Sequence, residues 1–267
     1  MSPQSWEPMH GHLSTAAPAD RGSAVRPSSS ELDQPPLGGG EVVHLDELTA
    51  AQRDSIEQAR QIYVDAGGTL DAYWQPFLVR FLVNHHWVLS SAAAAQLQAT
   101  AKWRASSGAA ELRRQLLGGD VTFVSCPHVL TNLQCVWLLP CHSRSFRGDS
   151  ISFMHVDSLD VPHWMHIISD DDYFQVNLTL MELQCLTNDR LSVESRTLVR
   201  TINLFDCHGV GLKHCAPRVL RRLKPTLKLA DLYYPEMVST AMALNAPWAV
   251  HKVWSLMSPF LSRSSYP

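Results

Sequence analysis

Cysteine and histidine residues, whose side chains can bind metal ions or act in catalysis, are grouped in two stretches of the sequence. The groups comprise Cys126, His128, Cys135, Cys141 and His142, and then Cys207, His208, His214 and Cys215. Zinc sites usually contain closely spaced ligand pairs such as Cys-x-x-Cys, and the sequence has no such pair. We therefore interpret these cysteines as small buried side chains and predict no metal site.

Asp206, Cys207 and His208 are consecutive residues that could supply a carboxylate, a nucleophile and a base. The sequence contains no Gly-x-Ser-x-Gly elbow, no glycine-rich phosphate loop and no His-Glu-x-x-His motif. Gly209 and Gly211 follow and give the backbone freedom for a turn at the end of a strand. We therefore expect a turn here, and we predict no catalytic residue, no enzymatic activity and no cofactor.

Basic residues are concentrated in the helical stretch 212–230. They are Arg218, Arg221, Arg222, Lys224 and Lys228, with Leu220, Leu223 and Leu227 at helical spacing on the other side. One interpretation is a solvated helix face. The other is a docking patch for anionic lipid, in which each basic residue contributes about 1 kcal/mol near a membrane surface. On the second interpretation, Arg218, Arg221 and Arg222 are predicted membrane contacts.

Two regions of different composition precede the strands and helices that contain the cysteines, histidines and basic residues named above. Residues 1–44 are rich in Ser, Pro, Gly and Ala and are predicted to be a disordered tail, because their apolar surface is too small to offset the entropy of ordering. Residues 45–117 contain three helical patterns, which begin after Thr49, at Trp74 and after a cap at Ser90 or Ser91. The second region is therefore predicted to be a helical lobe.

From residue 118 the pattern changes to short apolar runs that alternate with helical stretches. The runs are 121–124, 133–139, 151–156, 198–205 and 237–244, and the helical stretches are 162–187, 212–230 and 248–258. This alternation indicates a mainly parallel sheet covered on both faces. The predicted fold class is α/β, with a three-helix N-terminal lobe followed by a mainly parallel β-sheet flanked by helices.

Four motifs resemble those of the CRAL-TRIO family of lipid-binding proteins, which includes phosphatidylinositol-transfer and tocopherol-associated members. They are LVRFLVNHHW at 78–87 with ATAKWR at 99–104, FDCHGVGLKH at 205–214, YYPEM at 233–237, and NAPW at 245–248 running to SPFL at 258–261. The motifs occur in the order that the family has. The resemblance implies that the sheet and its helices enclose a hydrophobic pocket and that the 248–258 helix acts as its gate.

The resemblance and the apolar positions together give the candidate ligand contacts. The predicted lipid-binding residues are Phe153, His155, Ile202 and Leu204 from strands, and Trp248, Val250, Val253, Trp254 and Met257 from the gate. His251 and Lys252 are predicted to meet a polar head group at the mouth. Val83, Asn84, His85 and Ser258 replace basic residues of the family, so we expect a lipid less polar than a phosphoinositide, or a phospholipid held mainly by its tails.

Composition and charge restrict the other possibilities. The net charge is −3, which is too weak to make nucleic acid the default partner. No stretch is long and apolar enough for a membrane span and the first residues do not resemble a secretory signal, so we expect a cytoplasmic protein with transient membrane contact. Family members usually continue beyond the gate, so the 118–267 domain is expected to lack its C-terminal end. One side of the cavity is then either open or covered by a partner protein.

Two functions remain open at this stage. The first is non-catalytic binding and transfer of an apolar lipid. The alternative is a cavity-poor module of the same fold that acts as an interaction scaffold for a signalling or trafficking partner.

Overall fold

The computed structural model describes residues 42–122, 127–133, 135–211, 214 and 216–247. Four helices form the first part of this structure. They are α1 (Ala50–Asp65), α2 (Trp74–Asn84), α3 (Ser91–Ser106) and α4 (Ala109–Gly118). The first three coincide with the three predicted helices, and α4 follows them directly.

The helix starts have the local bonds that their sequences predict. The Thr49 hydroxyl accepts a hydrogen bond from the Gln52 backbone N–H at 3.2 Å, and the Gln52 side chain accepts one in return from the Thr49 N–H at 2.9 Å. Ser90 caps α3 in a similar way, through the Ala93 N–H. Such caps satisfy backbone donors that the first turn of a helix leaves free.

A four-stranded sheet with the order β1-β2-β3-β4 forms the second part. Its strands are β1 (Trp137–Arg144), β2 (Ser150–His155), β3 (Thr201–Asp206) and β4 (Val238–Leu244). β1 is antiparallel to β2, and the β2–β3 and β3–β4 pairs are parallel. The prediction of a mainly parallel sheet is confirmed.

Four further helices accompany the sheet. They are α5 (Pro127–Leu133), α6 (Val161–Ile167), α7 (Asp170–Ser195) and α8 (Pro217–Tyr233). β2 and β3 are connected through α6 and α7, and β3 and β4 through α8, since parallel strands need a crossover connection that usually contains a helix. A short 3₁₀ turn, Val156–Ser158, follows β2.

Three predicted segments differ from the structure in more than their exact ends. The predicted run 133–139 is divided between the end of α5 at Leu133 and the start of β1 at Trp137. The predicted helix 162–187 is two helices, because Ser169 accepts a hydrogen bond from the Asp172 N–H and begins α7, whose first three residues are aspartates that favour a helix N-terminus. Of the predicted run 121–124, only 121 and 122 are described, and neither lies in a strand.

Helix α7 lies between the helical lobe and the sheet. On the lobe side its buried Asp189 pairs with Arg80 of α2 and with Arg113 of α4, the latter at 2.7 Å. On the sheet side the Asn188 side chain accepts a hydrogen bond from the Ser150 hydroxyl at 2.6 Å and donates one to the Thr201 hydroxyl at 2.8 Å. These bonds connect the lobe to β2 and β3 through one helix.

Candidate functional site

A cavity of about 310 Å³ lies between one face of the sheet and helices α6, α7 and α8. Most of its lining is apolar, and no charged side chain is among the described residues that line it. Its apolar lining includes Leu138, Met154, Phe205 and Ala243 from the strands and Trp164, Val176, Leu180, Val219, Leu220 and Leu223 from the helices. Such a space can hold hydrocarbon but offers no counter-charge to an ion.

The floor of the cavity is one row of residues across all four strands. Leu138 pairs with Met154, Met154 with Phe205, and Phe205 with Ala243. Successive side chains of a strand point to opposite faces, so residues that are paired across strands share a face. The register of the sheet therefore places these four apolar side chains under the cavity.

The helical wall follows from the periodicity of α7. Tyr173, Val176, Asn177 and Leu180 line the cavity, and their spacing of three, four and seven positions is that of one helix face. Buried residues elsewhere on α7, such as Met181 and Cys185, pack with the helical lobe instead. Helix α7 therefore buries apolar side chains on two sides, one toward the cavity and one toward the helical lobe.

The polar groups around the cavity are mostly engaged with one another. Asn132 Oδ1 accepts a hydrogen bond from Trp164 Nε1 at 3.1 Å, and Asn177 Nδ2 donates to the Tyr173 carbonyl at 2.6 Å. Burial raises the pKa of the Tyr173 hydroxyl and of the Cys207 thiol above their usual values, so both groups are neutral near pH 7.

His214 is the exception among these polar groups. Its ring is 7% exposed and lines the cavity. Nδ1 accepts a hydrogen bond from the Gly211 N–H at 3.1 Å, whereas Nε2 is buried and has no hydrogen-bond partner.

The strand residues predicted from the sequence lie together, but on the other face of the sheet. Phe153 is paired with Leu204, and Ile202 and His155 occupy the same face. None of these four lines the cavity. Their contact with lipid stays a prediction, and the cavity instead uses the neighbouring positions Met154, Val156 and Phe205.

The sheet face that carries Phe153 is partly exposed. Trp137, at its edge, is 51% exposed and packs its ring 5.8 Å from that of Phe153, and Met242 of β4 is 41% exposed. His155 contacts Asp157 at 2.6 Å and lies 3.5 Å from Asp206. The Asn245 side chain and the His208 N–H donate to Asp206, and these bonds hold its pKa below the usual value.

The predicted membrane contacts on α8 differ in their surroundings. Arg218 and Arg221 are exposed. Arg222 is 7% exposed in its side chain, pairs with Asp170 at 2.8 Å and lies over the Trp164 ring at 4.7 Å. Arg222 therefore holds α8 against α6 and α7, which leaves Arg218 and Arg221 as the candidates for surface contact.

The predicted gate lies outside the described residues, which end at Pro247. This applies to Trp248, Val250, His251, Lys252, Val253, Trp254 and Met257, so their roles stay predictions. Within the described part of the chain, no group of three or more His, Cys, Asp or Glu side chains could hold a metal ion. No described helix is long and apolar enough to cross a membrane.

A second depression, of about 480 Å³, lies in the helical lobe beside residues 69–71. Its lining includes Arg113, which pairs with Asp71, and Arg114, which pairs with Glu111 at 2.6 Å. Because charged groups are costly to cover with hydrocarbon, this depression is a poorer lipid site than the cavity beside the sheet.

Sequence reasoning did not identify the helical wall or His214 as cavity residues. The helical wall could have been predicted from the spacing of three and four positions among Tyr173, Val176, Asn177 and Leu180. However, α7 is apolar on a second face as well, so periodicity alone did not separate the cavity side from the lobe side.

Comparisons with known proteins give one similar structure and one family match. No curated protein sequence matches the chain. The crystal structure of Sfh5 is similar, with 13% identity and a TM-score of 0.55, over 81% of this chain and 78% of that one. At this identity the likeness establishes the α/β fold. Residues 148–265 match the family model of the CRAL/TRIO domain, so this part of the chain is similar to that family.

Proposed function

We propose that this protein binds a lipid in the cavity between the sheet and helices α6–α8 and transfers it without bond chemistry. The observation that carries the proposal is the uncharged, mainly apolar cavity of about 310 Å³. Ligand pockets commonly measure about 300–1,000 Å³, so the described cavity is at the small end of that range. The CRAL/TRIO family is known for lipid binding and transfer, which supports the same conclusion.

Burial of hydrocarbon would supply the affinity. Each methylene group removed from water contributes about 0.8 kcal/mol, so a single alkyl chain in this space gains enough to offset its loss of motion. Met154, Phe205 and Leu180 are apolar contacts for such a chain. The uncharged lining favours a neutral or tail-held lipid over a buried phosphate group.

The entrance is proposed to lie at β4. Ala243 lines the cavity and is itself exposed, and β4 is the edge strand of the described sheet. The chain leaves β4 at Leu244, immediately before the predicted gate at 248–258. In this proposal Trp248, Val250, Val253, Trp254 and Met257 cover the entrance, and His251 and Lys252 face the polar end of the lipid.

Helix α8 is proposed to bring the entrance to an anionic membrane surface. Val219, Leu220 and Leu223 line the cavity from one side of α8, while Arg218 and Arg221 are exposed. The same helix therefore combines a cavity wall with exposed cations. This arrangement supports transient membrane contact during loading and release.

The exposed apolar sheet face supports a second candidate function, that of an interaction module. Trp137 and Met242 lie on the face opposite the cavity and are about half exposed, at 51% and 41%. A protein partner could cover this face whether or not the cavity holds a lipid.

A pair of adjacent substitutions tests the lipid proposal. Met154→Trp should fill the cavity, whereas Phe153→Trp enlarges a side chain on the opposite face of the same strand. Lipid that co-purifies with the full chain is extracted into organic solvent and quantified by mass spectrometry. We expect about one lipid per chain in the wild type and in Phe153→Trp, and at least a tenfold loss in Met154→Trp.

The opposite pattern has a clear meaning. Loss in Phe153→Trp with retention in Met154→Trp would assign lipid to the face first predicted from the sequence. A wild-type chain that carries no lipid and takes none from vesicles would favour the interaction module.

A further inference from the structure

His214 presents an unused hydrogen-bond donor within the wall of an otherwise apolar cavity. Its Nδ1 accepts from the Gly211 N–H at 3.1 Å, and the Gly211 carbonyl accepts from the His214 N–H at 3.0 Å. These two bonds fix the ring to the turn that follows β3. Nε2 is buried without a partner, in a ring that is 93% buried and lines the cavity.

The bond at Nδ1 determines where the imidazole proton lies. A nitrogen that accepts a hydrogen bond carries no proton, so the neutral ring is protonated at Nε2. The structure therefore leaves Nε2 as the ring nitrogen of His214 that can donate a hydrogen bond.

Buried donors in folded proteins almost always have an acceptor, and an unpaired one reduces stability. The other polar side chains around the cavity have such partners. Asn132 is bonded to Trp164, and Asn177 to the Tyr173 carbonyl. The free donor of His214 therefore indicates an acceptor that comes from outside the described chain.

We infer that the ligand of this cavity is a neutral lipid with one acceptor oxygen, such as an alcohol, ketone or ester, and that this oxygen accepts a hydrogen bond from His214 Nε2. The inference rests on the proposed function and deepens it. A pure hydrocarbon would leave the donor unpaired. A carboxylate or phosphate would lack a counter-charge, because no lysine or arginine is among the described residues that line the cavity.

Two substitutions separate the two ring nitrogens. Asn at position 214 places an oxygen near Nδ1, so His214→Asn keeps an acceptor for the Gly211 N–H but lacks the donor at Nε2. Gln is longer by one methylene and places its amide N–H₂ near Nε2, so His214→Gln keeps that donor. Both variants carry a side-chain amide. His214→Asn keeps the role of Nδ1 as acceptor, and His214→Gln keeps the role of Nε2 as donor.

The assay uses the full chain after its bound lipid has been removed on a hydrophobic resin. Displacement of the neutral fluorescent probe N-phenyl-1-naphthylamine reports the affinities of 1-dodecanol, tridecane and dodecanoate. The first two differ by one hydroxyl group in place of one methyl group. Affinity for tridecane also shows that each variant retains a folded cavity.

We expect wild type and His214→Gln to prefer 1-dodecanol over tridecane about tenfold, and to bind dodecanoate more weakly than the alcohol. His214→Asn should bind both neutral ligands with a ratio near one. A preference that persists in His214→Asn would overturn the inference, as would equal binding of alcohol and alkane by the wild type. The proposed function survives both of those outcomes, whereas failure of every ligand to displace the probe overturns it as well.

Discussion

Glu182 is a buried carboxylate of α7 whose exposed surface is zero. Arg104 of α3 donates to it at 2.8 Å, and the Tyr234 hydroxyl donates to it as well. Burial alone would lower the pKa of Arg104, but the charge of Glu182 reverses the effect and raises that pKa well above its usual value. Burial and the nearby Glu182 both raise the pKa of Tyr234. The group is therefore an ion pair with a neutral phenol, and each member depends on the carboxylate.

Removal of the Glu182 carboxylate should lower the free energy of unfolding strongly. Glu182→Ala leaves the Arg104 guanidinium buried without a counter-charge, and we expect the free energy of unfolding to fall by about 3–5 kcal/mol. Urea denaturation followed by circular dichroism measures the change. Glu111→Ala is the matched control, because Glu111 pairs with Arg114 on the surface at 2.6 Å and its loss should change stability little. Equal effects of the two substitutions would contradict the assignment.

Single residues also show where sequence reasoning stopped. The register of the sheet pairs Phe153 with Leu204 on one face, and sequence reasoning named both as candidate contacts. It could not decide whether that face or the face of Met154 and Phe205 borders the cavity. Both faces of these strands carry apolar side chains, so the alternation of residues does not show which face borders the cavity. Only the packing of α7 and α8 on one face distinguishes the two faces.

Helix α8 shows how one element can serve two surfaces. Val219 is buried against the cavity, and Leu220 and Leu223 also line it, whereas Arg218 and Arg221 are exposed. Sequence periodicity predicted this division correctly. It did not separate Arg222 from the other arginines, because the neighbours of Arg222, Asp170 and Trp164, come from α7 and α6.

Neutralisation of the exposed cations should weaken membrane binding without affecting the cavity. For Arg218→Gln/Arg221→Gln we expect about a thirtyfold loss of affinity for vesicles that contain phosphatidylserine, at about 1 kcal/mol per residue. Co-sedimentation with vesicles at low and high salt measures it, and the content of extracted lipid should stay unchanged. Lys102→Gln/Arg114→Gln, which removes two exposed cations from α3 and α4, is the charge-matched control. If it reduced binding as strongly, the effect would belong to net charge and not to α8.

At the scale of the whole molecule, the order of elements was more predictable than their contacts. Alternating apolar runs and helical stretches predicted a mainly parallel sheet, and the structure has one. The break at Ser169 has a local signal in the three aspartates that follow it. The role of α7 as a link was not predictable, because its buried polar side chains pair with residues distant in sequence. Asp189 illustrates this: it pairs with Arg80, 109 residues away, and with Arg113, 76 residues away.

This link should make the helical lobe and the sheet unfold together. Arg80 and Arg113 hold the lobe to Asp189, and Asn188 on the same helix holds Ser150 and Thr201 of the sheet. A ligand in the cavity should therefore stabilise the lobe, although the lobe does not line the cavity. At a free ligand concentration of about 100 times Kd, we expect both parts to gain about 2.7 kcal/mol.

Hydrogen exchange in increasing urea, read by mass spectrometry, measures this coupling. Peptides from α2 and β3 should lose protection at the same urea concentration, and 1-dodecanol should raise both midpoints equally. In Asp189→Asn the pairing charge is lost, and α2 should open at lower urea than β3, with little response to ligand. If α2 already opened separately in the wild type, the buried ion pairs would orient the lobe without making it part of the lipid-responsive unit.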